Sequence, residues 1–338
     1  MMILNAHFSL TRQIDEAMRI RGIILTNTKL RKITSAYAQD IDTDVSDGNG
    51  GVILKITFSE VCDKGLKRSV NQDRIFSMVS DDNRYALFVI ADGMGGHYMG
   101  ELASGAIINE FTAWWGTFSD SRFEKSIEEC LSGISDALEK ANDYIYENYT
   151  AQAHTCGSTV VVLFIYNNTY YIINVGDSRI YDCMDGNFTQ LSFDHTFSSI
   201  SIRDGKMTPE EAMADRRSGK LVEAIGCKKS FERYELSGQI TNNRFLMCTD
   251  GLYKMIPYKF ICRKVFSVKS VNKLTSILFN AVLKAGAADN VSIIAVDFFD
   301  PLCKVRRTRK PNMAVLILSV LGCAIFLLLL ILRFTVIK

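Results

Sequence analysis

The chain has 338 residues, of which 48% are hydrophobic and 22% charged, so it can bury a sizeable core and is not disordered. Its formal charge of +2 hides a segregation. Seven basic residues (Lys304, Arg306, Arg307, Arg309, Lys310, Arg333 and Lys338) and no acid follow position 303, leaving 32 basic against 37 acidic residues in 1–303, a net of −5. An acidic body argues against nucleic acid as a partner. Nine cysteines, an odd number with no CxxC pair, form neither a zinc framework nor a disulfide scaffold, and they fit a reducing compartment.

In chain order, residues 1–51 read as an N-terminal extension and linker. Arg12, Arg19, Arg21, Lys29, Arg31 and Lys32 outweigh Asp15 and Glu16, while Leu10, Ile14, Met18 and Leu25 fall roughly on one helical face. Two readings stand: a basic amphipathic helix on a membrane surface, or a loosely held extension. Asp40, Asp42, Asp44 and Asp47, followed by Gly48-Asn-Gly-Gly51, mark a linker.

The body is expected over 52–300. Val52–Phe58, Ile75–Val79 and Tyr85–Ala91 are short and rich in β-formers, and helical stretches follow at about 98–113 and 122–148. Strands are predicted at Thr159–Ile165, Tyr170–Val175 and Ile180–Cys183, with turns at Asn167-Asn168 and Asp185-Gly186. In 198–224, Thr208-Pro209-Glu210-Glu211 has the form of a helix start. A strand at Phe245–Cys248, a helix near 270–285 and a last strand at Val291–Phe298 complete the body. Grouped strands and grouped helices indicate an α+β fold of antiparallel sheets covered by helices.

The tail is a separate object. Residues 301–312 are basic, and 313–332 (MAVLILSVLGCAIFLLLLIL) are twenty residues without a charge, followed by a short tail at 333–338. A helix of that length is about 30 Å long, the thickness of a bilayer's hydrocarbon core. Five basic residues before the segment and two after it place the body on the cytoplasmic side of a single-pass cell-membrane protein.

Aspartates recur where apolar strands stop. Asp92-Gly93-Met94-Gly95-Gly96 follows Tyr85–Ala91, Asp250-Gly251 follows Phe245–Thr249, and Asp177 follows Tyr170–Val175. Asp289-Asn290 precedes the last strand, and Asn71-Gln72-Asp73 precedes Ile75–Val79. A single Asp-Gly is ordinarily a β-turn. Five carboxylates at strand ends suit hard divalent cations, which take oxygen ligands and in pairs activate water for attack on phosphorus.

With these residues in place, the sequence resembles the bacterial form of the PPM-type, or type 2C, metal-dependent protein Ser/Thr phosphatases. The matching segments, in the family's order, are Lys67–Asp73, Ala91–His97, Gly157-Ser-Thr159, Val175–Tyr181, Asp194-His-Thr-Phe197, Thr249–Leu252 and Asp289-Asn290. The resemblance implies an α-β-β-α sandwich of two antiparallel sheets flanked by helices, to which the sequence adds one C-terminal transmembrane helix. It implies two Mn²⁺ or Mg²⁺ ions, with a third, weaker site in the family's bacterial members. Asp92 would bridge both ions, with the Gly93 carbonyl as a further ligand; Asp250 and Asp289 would complete the first ion's shell, and Asp73 would serve the second. Asp92, Asp250 and Asp289 are thus the catalytic ligands, and a third ion would fall on Asp177 with Asp250 shared. Arg68 would hold the substrate phosphate, as a fork of donors suits a dianion.

Asn290 is expected to orient Asp289 or to bond a metal-bound water. His195 reads as structural, and His97 as either a site residue or a solvated neighbour. The segment 198–224 corresponds to the family's flap. Two departures stand out: Gln72 replaces the glutamate of many bacterial members, and Asp215-Arg-Arg-Ser218 lacks the usual His-Pro step. The implied function is a monomeric, membrane-tethered phosphatase that acts on phosphorylated proteins and opposes a membrane Ser/Thr kinase. The alternative is a non-catalytic, phospho-binding regulatory pseudophosphatase.

Overall fold

The computed structural model describes residues 54–299, apart from His97, 120–124, 153–155, Asp185 and Asn242. The extension 1–51, the basic segment 301–312, the apolar segment 313–332, the tail 333–338, His97 and Asp185 of the predicted Asp185-Gly186 turn lie outside the described residues. Among the described residues no helix is long and apolar enough to cross a membrane.

Two antiparallel sheets carry the fold. One contains β1 (Lys55–Asp63), β11 (Val291–Phe299), β10 (Arg244–Cys248), β7 (Arg179–Met184) and β8 (Asn187–Gln190), in that order. The other runs β2 (Asp73–Val79), β3 (Tyr85–Gly95), β5 (Val160–Tyr166), β6 (Thr169–Val175) and β9 (Tyr234–Gln239), with β4 (Cys156–Ser158) paired to the far end of β3.

Both faces of each sheet are covered, so the central strands read as unbroken apolar runs rather than as alternating ones. In β3, Ala86, Phe88 and Ile90 meet Phe245, Met247, Ile294 and Val296 between the sheets. Leu87, Val89 and Ala91 on the other face pack under α1 (Met99–Ser119) and α2 (Ile127–Asn148), through Ile107, Phe111, Ile134 and Leu138. The second sheet is covered in the same way: Leu246, Cys248, Ile293 and Ala295 lie under α6 (Tyr258–Ser267) and α7 (Val271–Lys284). The layers are therefore α-β-β-α.

Several expected boundaries move, each for a local reason. β3 does not stop at Ala91 but continues to Gly95, because Asp92 still pairs with β2 and β4 supplies a partner for Gly93 to Gly95. Helix α2 begins at Ile127 rather than near 122, since Ser126 caps the Glu129 amide while the Glu129 carboxylate accepts from the Ser126 amide. The first strand runs on to Asp63, paired along its length with β11. Between β8 and β9 lie α3 (Phe197–Arg203) and α4 (Pro209–Ala214). Thr208 and Glu211 form the capping box that starts α4, as the sequence predicts.

Candidate functional site

The site starts from strand register. Antiparallel pairing sets Asp73, the first residue of β2, directly opposite Asp92 of β3. Like charges in that relation repel. Asp73 also crosses from one sheet to the other: its Oδ2 accepts from Thr249 Oγ1 at 3.0 Å, just past β10, and from Ser292 Oγ of β11 at 2.8 Å. Its Oδ1 is buried with no hydrogen-bond partner. Burial drives the Asp73 carboxyl above the usual range; the two hydroxyls oppose the shift, and the charges of Asp250 and Asp289 add to it. The half-buried Asp92 is pushed well above its ordinary value, first by desolvation and then by Asp73, Asp250, Asp177 and Asp289. These electrostatic couplings place the five sequence-predicted carboxylates in one field.

The Asp92 backbone is held on both sides by Thr159, whose Oγ1 accepts from the Asp92 amide at 3.2 Å and whose amide donates to the Asp92 carbonyl at 2.9 Å. Gly157-Ser-Thr159 therefore supports the site through its backbone and the Thr159 hydroxyl. Gly93 follows, and its carbonyl oxygen lies against the start of α1. A Cβ on Gly93 would fall 1.9 Å from the Gly100 carbonyl oxygen, and one on Gly100 would fall 2.6 Å from the Gly93 carbonyl oxygen. Only two glycines let strand and helix approach this closely.

Arg68 donates from Nη2 to Asp289 Oδ2 at 2.9 Å. That bond, and then the charges of Asp289, Asp250 and Asp92, hold the guanidinium firmly protonated. Asn290 does orient the Asp289 carboxylate, through its backbone amide, which donates to Asp289 Oδ1 at 2.9 Å, and its side chain has a second task. It clamps the loop that carries Arg68: its Nδ2 donates to the Lys64 and Val70 carbonyls at 2.9 Å each, and its Oδ1 accepts from the Gln72 amide at 2.9 Å. Gln72 uses its side-chain amide to reach the Gly95 carbonyl at 3.4 Å, a donation that a glutamate could not make.

Asp250 opens α5 (Asp250–Tyr253), and its carboxyl is raised by burial, with Asp177 and Asp289 adding to the shift and Lys254 opposing it. Gly251 has no room for a side chain, as a Cβ there would fall 1.9 Å from the Asn290 carbonyl oxygen. Lys254, one turn on, donates from Nζ to Asp250 Oδ2 at 2.7 Å and lies 3.5 Å from Asp177 Oδ2. The Tyr253 hydroxyl donates to the same Asp177 Oδ2 at 3.0 Å, and Arg179 stacks on the Tyr253 ring at 3.6 Å while forking onto Asp194. Sequence reasoning missed Lys254, Tyr253, Thr249 and Ser292. The available signals were the i,i+4 spacing of Asp250 and Lys254 and the threonine next to Asp250.

His195 is structural, as expected. Buried, with its proton affinity lowered mainly by desolvation, it accepts from the Gly176 amide at Nδ1 and donates its own amide to the Gly176 carbonyl.

Among the described residues no three His, Cys, Asp or Glu side chains are already drawn into a metal cage. The organic partners explain the spread: Thr249 and Ser292 hold Asp73, Arg68 holds Asp289, and Lys254 holds Asp250. The donors nonetheless fit two hard divalent ions, because they are all oxygens, neighbouring carboxylates add to the raised proton affinity of Asp73, Asp92 and Asp250, and Asp73 Oδ1 is an orphaned buried acceptor.

The profile of the family described as Protein phosphatase 2C matches residues 66–288. The chain belongs to the protein phosphatase 2C family. Protein phosphatase PhpP of Streptococcus pneumoniae is 30% identical over 241 residues, covering 70% of this chain and 96% of that protein. Serine/threonine protein phosphatase PstP of Mycobacterium tuberculosis is 25% identical over 251 residues, which span 74% of this chain and 46% of the mycobacterial protein. A solved catalytic domain of PstP, in complex with two manganese ions, matches with a TM-score of 0.61 at 26% identity, covering 73% of this chain and all of that one. Phosphatases of this family use Mn²⁺ or Mg²⁺.

In the chelated phosphatase 2C domain, Asp73 and Asp92 hold protons that the unfolded chain has released, since their folded-state values are raised. Their contribution to stability is complete below about pH 4 and is lost as pH rises through the folded-state values. The melting temperature of chelated protein is therefore expected to fall from about pH 5 to about pH 8, with a smaller fall for Asp92→Asn and recovery on adding Mn²⁺. Equal slopes for wild type and Asp92→Asn in a thermal-shift assay would contradict the coupled-carboxylate reading.

Proposed function

We propose that this chain is a metal-dependent protein serine/threonine phosphatase. The observation that carries the reading is the Asp73–Asp92 pair, fixed opposite each other by strand register, with an orphaned buried oxygen on Asp73, beside an arginine that has donors to spare. Asp73, Asp92, the Gly93 carbonyl, Asp250 and Asp289 would hold two Mn²⁺ or Mg²⁺ ions. When bound, the ions supply positive charge and Lewis acidity to water and to the phosphate oxygens.

The chain's own groups divide the remaining tasks. Arg68 receives the phosphate: its side chain is half exposed, one donor is spent on Asp289, and the rest of the planar fork is available to a phosphomonoester dianion. Asn290 fixes the loop behind Arg68 by three hydrogen bonds, so the guanidinium is presented from a rigid base. Cysteine is a poor candidate for the nucleophile. Burial, with Asp73 nearby, pushes the Cys62 thiol up to about 11, and burial pushes Cys248 up to about 12, so both stay protonated at neutral pH. The buried His195 has its Nδ1 occupied. Water is the nucleophile in this reading, and no phospho-enzyme forms. The pseudophosphatase alternative loses ground because Asp73, Asp92, Asp250 and Asp289 are all present and electrostatically coupled.

Purified protein is expected to hydrolyse a phosphothreonine peptide with Mn²⁺ and to stop on chelation. Asp250→Asn should lower the metal-dependent rate by about 100-fold, and Arg68→Ala should lower kcat/KM by about tenfold to a hundredfold. An Asp250→Asn enzyme within about threefold of wild type would overturn the site assignment.

The second part of the proposal is placement. The uncharged run 313–332 and its basic flanks support a single-pass anchor with the catalytic body in the cytoplasm. A monomer in that position would act on phosphorylated proteins at the membrane and oppose a membrane Ser/Thr kinase. A reporter fused after Lys338 should lie outside the cytoplasm; a cytoplasmic reporter would contradict this topology.

A further inference from the structure

We infer that Lys254 is a built-in cation occupying the place between Asp177 and Asp250 that the family resemblance assigns to a third metal ion, so that this chain takes two divalent ions and not three. The inference rests on the reading of the carboxylate cluster as a metal centre.

Three observations carry it. The first is position. Lys254 Nζ lies 2.7 Å from Asp250 Oδ2 and 3.5 Å from Asp177 Oδ2, which places one ammonium between the two carboxylates a third ion would need. The second is that Asp177 is further engaged. Its Oδ2 also accepts from the Tyr253 hydroxyl at 3.0 Å, a proton that hydroxyl shares with the Asp177 carbonyl at 3.1 Å. An incoming ion would therefore have to displace an ammonium and a phenol, each hydrogen-bonded to the same oxygen.

The third is that the arrangement is supported from behind. The Arg179 guanidinium stacks on the Tyr253 ring at 3.6 Å and is fixed by two bonds from Nε to Asp194, at 3.1 and 3.0 Å. Gln190 Nε2 donates to the same Asp194 at 2.7 Å. Ring, guanidinium and carboxylate thus hold Tyr253 against Asp177. Lys254 follows one residue later at the end of α5, four residues after Asp250, where i,i+4 geometry brings it back over the carboxylate.

Among the described residues the only side-chain cation paired with Asp73, Asp92 or Asp289 is Arg68. Asp73 is held by neutral hydroxyls, and the cation on Asp289 is Arg68, whose remaining donors can receive phosphate. The lysine therefore occupies the place between Asp177 and Asp250 and leaves Asp73, Asp92 and Asp289, with Asp250 shared, for two divalent ions.

The test counts ions on the full-length chain. Calorimetric titration with Mn²⁺, checked by the paramagnetic resonance signal of free Mn²⁺, should give two ions per chain for wild type and three for Lys254→Gln. Lys254→Arg should remain at two, because it keeps the cation. The double variant Asp177→Asn with Lys254→Gln should return to two, because the added site loses its outer carboxylate. A wild type that already binds three ions, or a Lys254→Gln protein that melts cooperatively and still binds two, overturns the inference. A wild type that binds no Mn²⁺ overturns the metal-centre reading and this inference with it.

Discussion

Crowded like charge is the constraint on which the rest of this structure depends. Asp73 and Asp92 are fixed opposite each other by strand register, and Asp177, Asp250 and Asp289 lie close enough to raise the proton affinity of Asp92. No free carboxylates would choose that arrangement in water, because each adds to the cost of ionising the others. It persists because the backbone positions are set elsewhere, by two sheets whose facing residues (Phe88, Ile90, Phe245, Met247, Ile294 and Val296) are buried. Packing holds the charges together, and the charges create a demand for cations.

Every neighbouring polar group can be read as a partial answer to that demand. Thr249 and Ser292 bring hydroxyl protons to Asp73 from the opposite sheet, which ties the two sheets together at the level of the site. Arg68 answers Asp289 on a loop clamped by Asn290, and Lys254 answers Asp250 and Asp177. Asp73 Oδ1 receives no answer from the protein, and it is the atom at which the internal supply of donors stops. The departure at Gln72 belongs to the same picture: with an amide in place of a carboxylate, the side chain donates to Gly95 and adds no further negative charge.

Much of this was legible in the sequence, for physical reasons that can be named. The carboxylates stand out because Asp and Gly interrupt apolar runs, and those runs are conspicuous because both faces of each sheet are buried. The start of α4 was readable from Thr208-Pro209-x-Glu211, since a capping box is a local device. Elements whose reasons are tertiary were not readable. β9 (YELSGQ) contains a glycine and exposed polar residues and becomes a strand only by pairing with β6. The four residues of β8 depend on the hairpin with β7, and α6, rich in Lys and Arg, is a helix whose apolar side, Ile261 and Val265, packs on β10 and β11. The clamp made by Asn290 joins residues more than 200 apart and has no sequence signature. Asp92 was found but misplaced, because its strand continues through it, still paired with β2, for as long as β4 offers the next residues a partner.

The claim that the fold assembles carboxylates in order to hold cations is tested most directly by diffraction at the manganese absorption edge on crystals of the protein grown with Mn²⁺. The account predicts two anomalous peaks among Asp73, Asp92, Asp250 and Asp289, with Asp92 touching both. Anomalous maps without a peak at Asp92 would contradict it.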